Sequence, residues 1–158
     1  MTFHKIIVAL DDSPLSQVVF SEALDIATAQ SASLMLFHCI SEEAIAQPVI
    51  ALPIELGMTS EVVTETYQVQ QLRLDTLNQR ARAMLDQFCT KAAERGVLAE
   101  YDCKIGSPGH RLCELAQSWN ASLILIGRRG RTGLAEAFMG SVSNYVVHNA
   151  PCSVLVIQ

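Results

Sequence analysis

Three glycines, three arginines and a serine carry the most specific chemical signal in the chain. The apolar run Leu123-Ile124-Leu125-Ile126 ends at Gly127. Arg128 and Arg129 follow, then Gly130 and Arg131, and Gly140 and Ser141 come with nine residues between Gly130 and Gly140. Glycine has no Cβ, so main-chain amides can approach a ligand closely and φ can turn positive. A serine after such a turn can open a helix, whose first amides lack intrahelical partners and whose N-terminus carries a partial positive charge. Together these features make a phosphate cradle. The chain carries 16 Asp+Glu against 11 Lys+Arg, a formal net charge of -5. A basic cluster at Arg128, Arg129 and Arg131 therefore needs a local reason, and bound phosphate is one. From the residues alone, a solvated Gly/Arg loop is the competing account.

Other reactive residue types are less constrained. Asp11 and Asp12 end the first apolar run, where a flavodoxin-like protein would place its phosphate loop. Two carboxylates there repel phosphate, which leaves the loop after Ile126 as the place for it. His38 and Cys39 are neighbours on an expected strand, so they point to opposite faces and make a poor metal pair. His110 has no nucleophile at a matching spacing and reads as a solvent-facing or capping residue. Trp119 reads as a packing residue, with stacking on a base as the weaker option. The five cysteines are scattered, with no C-x-x-C, which fits free thiols in a reducing cytosol better than a disulfide or zinc framework. The pattern G-x-x-x-x-G-K-[ST] is absent, so P-loop hydrolysis is not supported.

The elements that must position these residues alternate along the chain. Lys5 to Leu10, Ser33 to Ile40, Val97 to Ile105, Ser122 to Ile126 and Ser153 to Ile157 read as strands, several apolar enough to be buried on both faces of a parallel sheet. Ser13 and Pro14 are expected to open a helix reaching about Gln30, with Leu15, Val18, Val19, Ile26 and Ala27 inward. A second helix is expected from about Thr66 to Arg95, stopped by Gly96. A third follows Gly106-Ser107-Pro108. A fourth opens at Ser141 with Val142, Tyr145 and Val146 inward and ends at Asn149-Ala150-Pro151. Residues 41–66 have no clean period and read as a variable loop or insertion with a short helix, exposed or packed over the site. The expected fold is a single-domain, Rossmann-like α/β sandwich over residues 1–158, with a five-stranded parallel sheet in the order 3-2-1-4-5 and helices on both faces.

Gly127, two residues, Gly130, nine residues and Gly140-Ser141 together resemble the nucleotide-binding signature of the universal stress protein family. The resemblance extends to Val8-Ala9-Leu10-Asp11-Asp12-Ser13, Leu36-Phe37-His38-Cys39, Gly106-Ser107-Pro108 and Ala150-Pro151-Cys152-Ser153-Val154-Leu155-Val156. It implies an ATP-binding stress-response regulator. The implied site comprises Ala9, Leu10, Asp11 and Ser13 of the first turn, Cys39 of the second strand, and Ile126, Gly127, Arg129, Gly130, Arg131, Gly140, Ser141 and Val142 of the cradle. Main-chain atoms at Cys39 would read the adenine edge. Asp11 would lie near the ribose or a phosphate-bound Mg²⁺. The resemblance also implies a homodimer through the strand at 153–157.

Alternatives within the same site are an AMP or cyclic-AMP sensor, and a dimeric interaction module with the nucleotide as a structural ligand and an unknown protein partner docking on 41–66. An adenylating or pyrophosphate-handling enzyme lacks its motifs here. No catalytic residue is assigned, and any ATP hydrolysis is expected to be slow. Overall acidity argues against nucleic acid as a partner. No run is long enough to span a membrane, and no signal peptide is legible, so the expected location is the cytoplasm.

Overall fold

The computed structural model describes residues 2–45, 60–128 and 139–158, with the side chains of 60–66 outside that description. The elements in chain order are β1 (Lys5–Ala9), α1 (Leu15–Gln30), β2 (Ser33–Ile40), α2 (Glu42–Ile45), α3 (Ser60–Glu94), β3 (Ala99–Ile105), α4 (Pro108–Ser118), β4 (Leu123–Gly127), α5 (Ser141–Asn149) and β5 (Ser153–Ile157). The strands form one parallel sheet in the order β3-β2-β1-β4-β5. Ile7 sits opposite Met35 on one side and Ile124 on the other. The expected order is thus the observed one.

Period-two alternation splits the apolar side chains between two cores. Ile6, Val8, Leu34, Leu36, Leu123 and Leu125 face α1 and α3, where Phe20 and Phe88 meet at 4.7 Å between ring centroids. Ile7, Met35, Phe37, Ile124 and Ile126 face α4 and α5. Covering both faces explains why the central strands are apolar without interruption.

Several expectations shift. In α1 the buried side is Ser16, Val19, Phe20, Ala23, Leu24 and Ala27. Val18 is exposed, because the stripe turns about 100° per residue and Val19 already occupies the core side. Tyr145 is also exposed and not inward. Its ring lies across Gly109, where an added Cβ would come within 2.8 Å of it, so Tyr145 fills the close approach of α4 and α5 from the rim. The third strand starts at Ala99, since Val97 turns into the core beside α3 while Leu98 is exposed.

The segment expected to be a loop with a short helix is helical at both of its described ends. α2 covers 42–45, and α3 begins at Ser60, about six residues before the expected start. The β-branched stretch Val62-Val63-Thr64 hides the helix from propensity. A helix already nucleated downstream extends through such residues at little cost. At 1.5 Å per residue the 35 residues of α3 span about 52 Å, longer than any strand it covers. Residues 46–59 of the insertion lie outside the described residues.

Candidate functional site

The strand order reverses between β1 and β4, so the loops that follow them diverge to opposite faces of the sheet. Two turns flank that point at the carboxyl edge. They are built in opposite ways.

The β1–α1 turn closes on its own carboxylate. Asp11 Oδ1 accepts from the Ser13 amide at 3.0 Å and from the Ser16 hydroxyl at 2.8 Å, and the Ser13 hydroxyl also donates to it. Ser16 is buried, and its Oγ in turn accepts from the Asp11 amide at 2.8 Å. Among the described residues no donor meets Oδ2. Ser13 therefore serves Asp11, and no side chain caps α1, whose N-cap is Pro14. The expected Ser13 cap is not formed: the hydroxyl is turned back to donate to Asp11, and the helix starts one residue later, with Pro14 at the cap.

The β4–α5 turn keeps its donors. Arg128 leaves the sheet with its amide on the Ile157 carbonyl at 2.7 Å, and its own carbonyl accepts from the Gly140 amide at 2.8 Å. The chain thus departs at Arg128 and returns to the same point at Gly140. Gly140 is the extended N-cap of α5, φ -61° and ψ 154°, with no side-chain cap. Any demand for glycine there is steric and not conformational. The first intrahelical bond runs from the Asn144 amide to the Gly140 carbonyl at 2.9 Å. Among the described residues no acceptor meets the amides of Ser141 and Val142. Ser141 is exposed and Val142 half-buried. Arg129, Gly130 and Arg131 lie outside the described residues.

Sequence reasoning missed Ser143. It is buried, and its hydroxyl lies 2.9 Å from the Arg128 carbonyl and 3.0 Å from the Gly140 carbonyl, pinning the start of α5 to the end of β4. The legible signal was a second small polar residue on the inward side of a helix otherwise facing Val142 and Val146.

Cys39 lies at the third edge of the same region. Even-numbered residues of β2 bond toward β3, as in the Leu34 amide to Leu98 carbonyl and the Gly106 amide to Ile40 carbonyl. The Phe37 carbonyl bonds toward β1, accepting from Leu10. Parity therefore aims the Cys39 amide and carbonyl at the β1 side, just past the last β1 rung. The Cys39 side chain packs on the α4–α5 side, and burial pushes its thiol up to about 11, with the Cys103 thiol adding to the shift and Arg111 opposing it. Burial likewise raises Cys89, Cys103, Cys113 and Cys152. These are thiols, not thiolates, near neutral pH. His38 points to the other face, as alternation requires, with Nδ1 on the Leu10 carbonyl at 2.8 Å.

Other candidates fall away from the switch point. His110 is exposed, 3.5 Å from Glu114. Trp119 sits at the amino edge of the sheet, under Lys5 at 4.9 Å and donating Nε1–H to Glu100 at 2.9 Å, far from any base bound at the carboxyl edge. A groove of about 470 Å³ between β3 and α4 has its charges already matched, Lys104 to Asp102 at 3.1 Å and Arg111 to Glu114 at 3.0 Å. Among the described residues there is no cluster of three or more His, Cys, Asp or Glu side chains able to hold a metal, and no helix long and apolar enough to cross a membrane.

The strand order and the paired turns define a doubly wound α/β protein, a class whose ligands sit at the carboxyl edge of the sheet. A sequence model of the Universal stress protein family matches residues 2–158. Universal stress protein Sll1388 of Synechocystis sp. is 38% identical over 100% of this chain and 99% of its own length. The chain belongs to the universal stress protein family. Among solved structures, the protein MJ0577 matches with a TM-score of 0.80 at 18% identity, over 99% of this chain and 96% of that one. A universal stress protein in complex with cAMP matches at 0.68 and 21% identity, over 100% of this chain and 98% of that one.

Proposed function

We propose that this chain binds an adenine nucleotide, ATP foremost, at the switch point and acts as a nucleotide-dependent stress regulator. The observation that carries the reading is the start of α5. A bare helix N-terminus is pinned across from a turn whose carboxylate has Oδ2 available, the first amides and Oδ2 alike being unmet among the described residues. The phosphates lie against the Ser141 and Val142 amides beside Gly140, with Gly127, Arg129, Gly130 and Arg131 completing the cradle. Ala9, Leu10, Asp11, Ser13 and Ile126 line the nucleoside, Asp11 accepting from a ribose hydroxyl. The Cys39 main chain reads the base edge. One carboxylate oxygen does not make a metal site, so Mg²⁺ enters only as a phosphate-bound ion beside Asp11. The cAMP complex of a relative in fold supports adenine as the base class. No base that would position a water for hydrolysis stands beside the cradle among the described residues.

The chain works as a cytoplasmic homodimer joined through β5. That strand is an edge without a charged residue, and Leu155 is exposed on it. The opposite edge, β3, carries Glu100, Asp102 and Lys104, which discourage pairing. Nucleotide released from the purified protein and identified by mass tests the ligand. ATP is expected; AMP or cyclic AMP alone would move the reading to a sensor, and no nucleotide together with no binding in calorimetry would end it.

A further inference from the structure

The carbonyl of Leu10 and the amide of Asp11 belong to one peptide group, and a side chain holds each end of it. The Leu10 amide donates to the Phe37 carbonyl at 2.9 Å. A parallel ladder continuing from that bond would bring the Cys39 amide to the Leu10 carbonyl. His38 Nδ1 stands there instead, at 2.8 Å. A carbonyl only accepts, so Nδ1 carries the proton. At the other end, the Asp11 amide donates to Ser16 Oγ, and the same hydroxyl donates to Asp11 Oδ1, both at 2.8 Å. Ser16 is 4% exposed, so water does not compete for it.

We infer that His38 and Ser16 are positioning residues for the nucleoside. By gripping both ends of the Leu10–Asp11 peptide they stop the β1–β2 ladder one rung early, which leaves the Cys39 amide for the base, and they fix the carboxylate that meets the sugar. The inference rests on the nucleotide reading above. It adds that neither His38 nor Ser16 touches the ligand, and that one peptide sets both nucleoside contacts. Pre-setting these groups removes an ordering cost from binding.

Calorimetric ATP titration of five single variants, Asp11→Ala among them, and of the Ser16→Ala/Asp11→Ala double variant, with folding checked by circular dichroism, tests it. His38→Leu loses the donor and is expected to bind about tenfold more weakly, about 1.4 kcal/mol. His38→Asn presents an N–H near the Nδ1 position and is expected to stay within about threefold of the parent chain. Ser16→Ala is expected to weaken binding about fivefold, and to add nothing once Asp11→Ala is present, because Ser16 acts through that carboxylate. Ser122→Ala removes hydrogen bonds to His4 and Lys5 at the amino edge and is expected to leave affinity unchanged. Unchanged affinity in His38→Leu, or full additivity of Ser16→Ala with Asp11→Ala, overturns the inference while leaving the nucleotide reading standing. If His38→Leu does not fold, the Ser16–Asp11 cycle decides alone. Failure of the parent chain to bind ATP, AMP or cyclic AMP overturns the nucleotide reading, and this inference with it.

Discussion

The two turns at the switch point are both strand-to-helix connections at one edge of one sheet, yet they treat hydrogen-bond donors in opposite ways. The β1–α1 turn gathers three donors onto Asp11 Oδ1 and, among the described residues, leaves Oδ2 as an acceptor. The β4–α5 turn ties its two ends together at Arg128 and Gly140 and leaves the amides of α5 outward. An anion is repelled by the first and drawn by the second. The contrast teaches that a nucleotide's polar tail and its sugar need different hosts, one rich in donors and one offering an acceptor.

Removing the Asp11 carboxylate should break the contrast most sharply. Asp11→Ala leaves the Ser13 amide and the Ser16 hydroxyl without their acceptor, at a cost of about 2 kcal/mol in denaturant unfolding, and it weakens ATP binding as well. Asp11→Asn keeps one oxygen and should cost less than half as much.

Gly130→Val tests the other turn. A side chain there blocks close approach of the main chain, and ATP affinity should fall at least about tenfold, about 1.4 kcal/mol, while the circular dichroism spectrum is preserved. An unchanged affinity would remove the cradle from the account.

Ser143→Ala loosens the pin between β4 and α5. It should cost about 1 kcal/mol, seen as a fall of about 3 °C in Tm. Affinity should fall too, because α5 then holds its amides less firmly.

The smallest effect concerns pH. The Cys39 thiol titrates near 11 in the folded chain against an ordinary value of 9.0, so the folded state holds its proton more tightly. That contribution is complete below about pH 9 and is lost as pH rises toward about 11. Thermal unfolding followed over that range should show a declining Tm, and Cys39→Ser should flatten the decline.

Much of this contrast could be read in the sequence. The apolar runs of β1, β2 and β4 announce a sheet covered on both faces, and Gly127, Gly140 and Ser141 mark the turn that closes on α5. What could not be read depends on contacts between distant residues. The hydroxyl of Ser13 suits a helix cap by local rules, and only the folded turn shows it turned back toward Asp11 with Pro14 at the cap. Ser143 looks like any small polar residue until α5 docks against the carbonyl of Arg128. Tyr145 fits the inward stripe by period, and only the docked helices show its ring lying across Gly109 of α4 at the exposed rim. The start of α3 was obscured by β-branched residues that a long helix tolerates.

The most direct test is a nitrogen–proton NMR titration of the chain with ATP. The account predicts that the amides of Ser141 and Val142 shift together with those of Asp11 and Cys39, at one common dissociation constant. Shifts confined to the β3–α4 groove around Lys104 and Arg111, with those four amides unmoved, would contradict it.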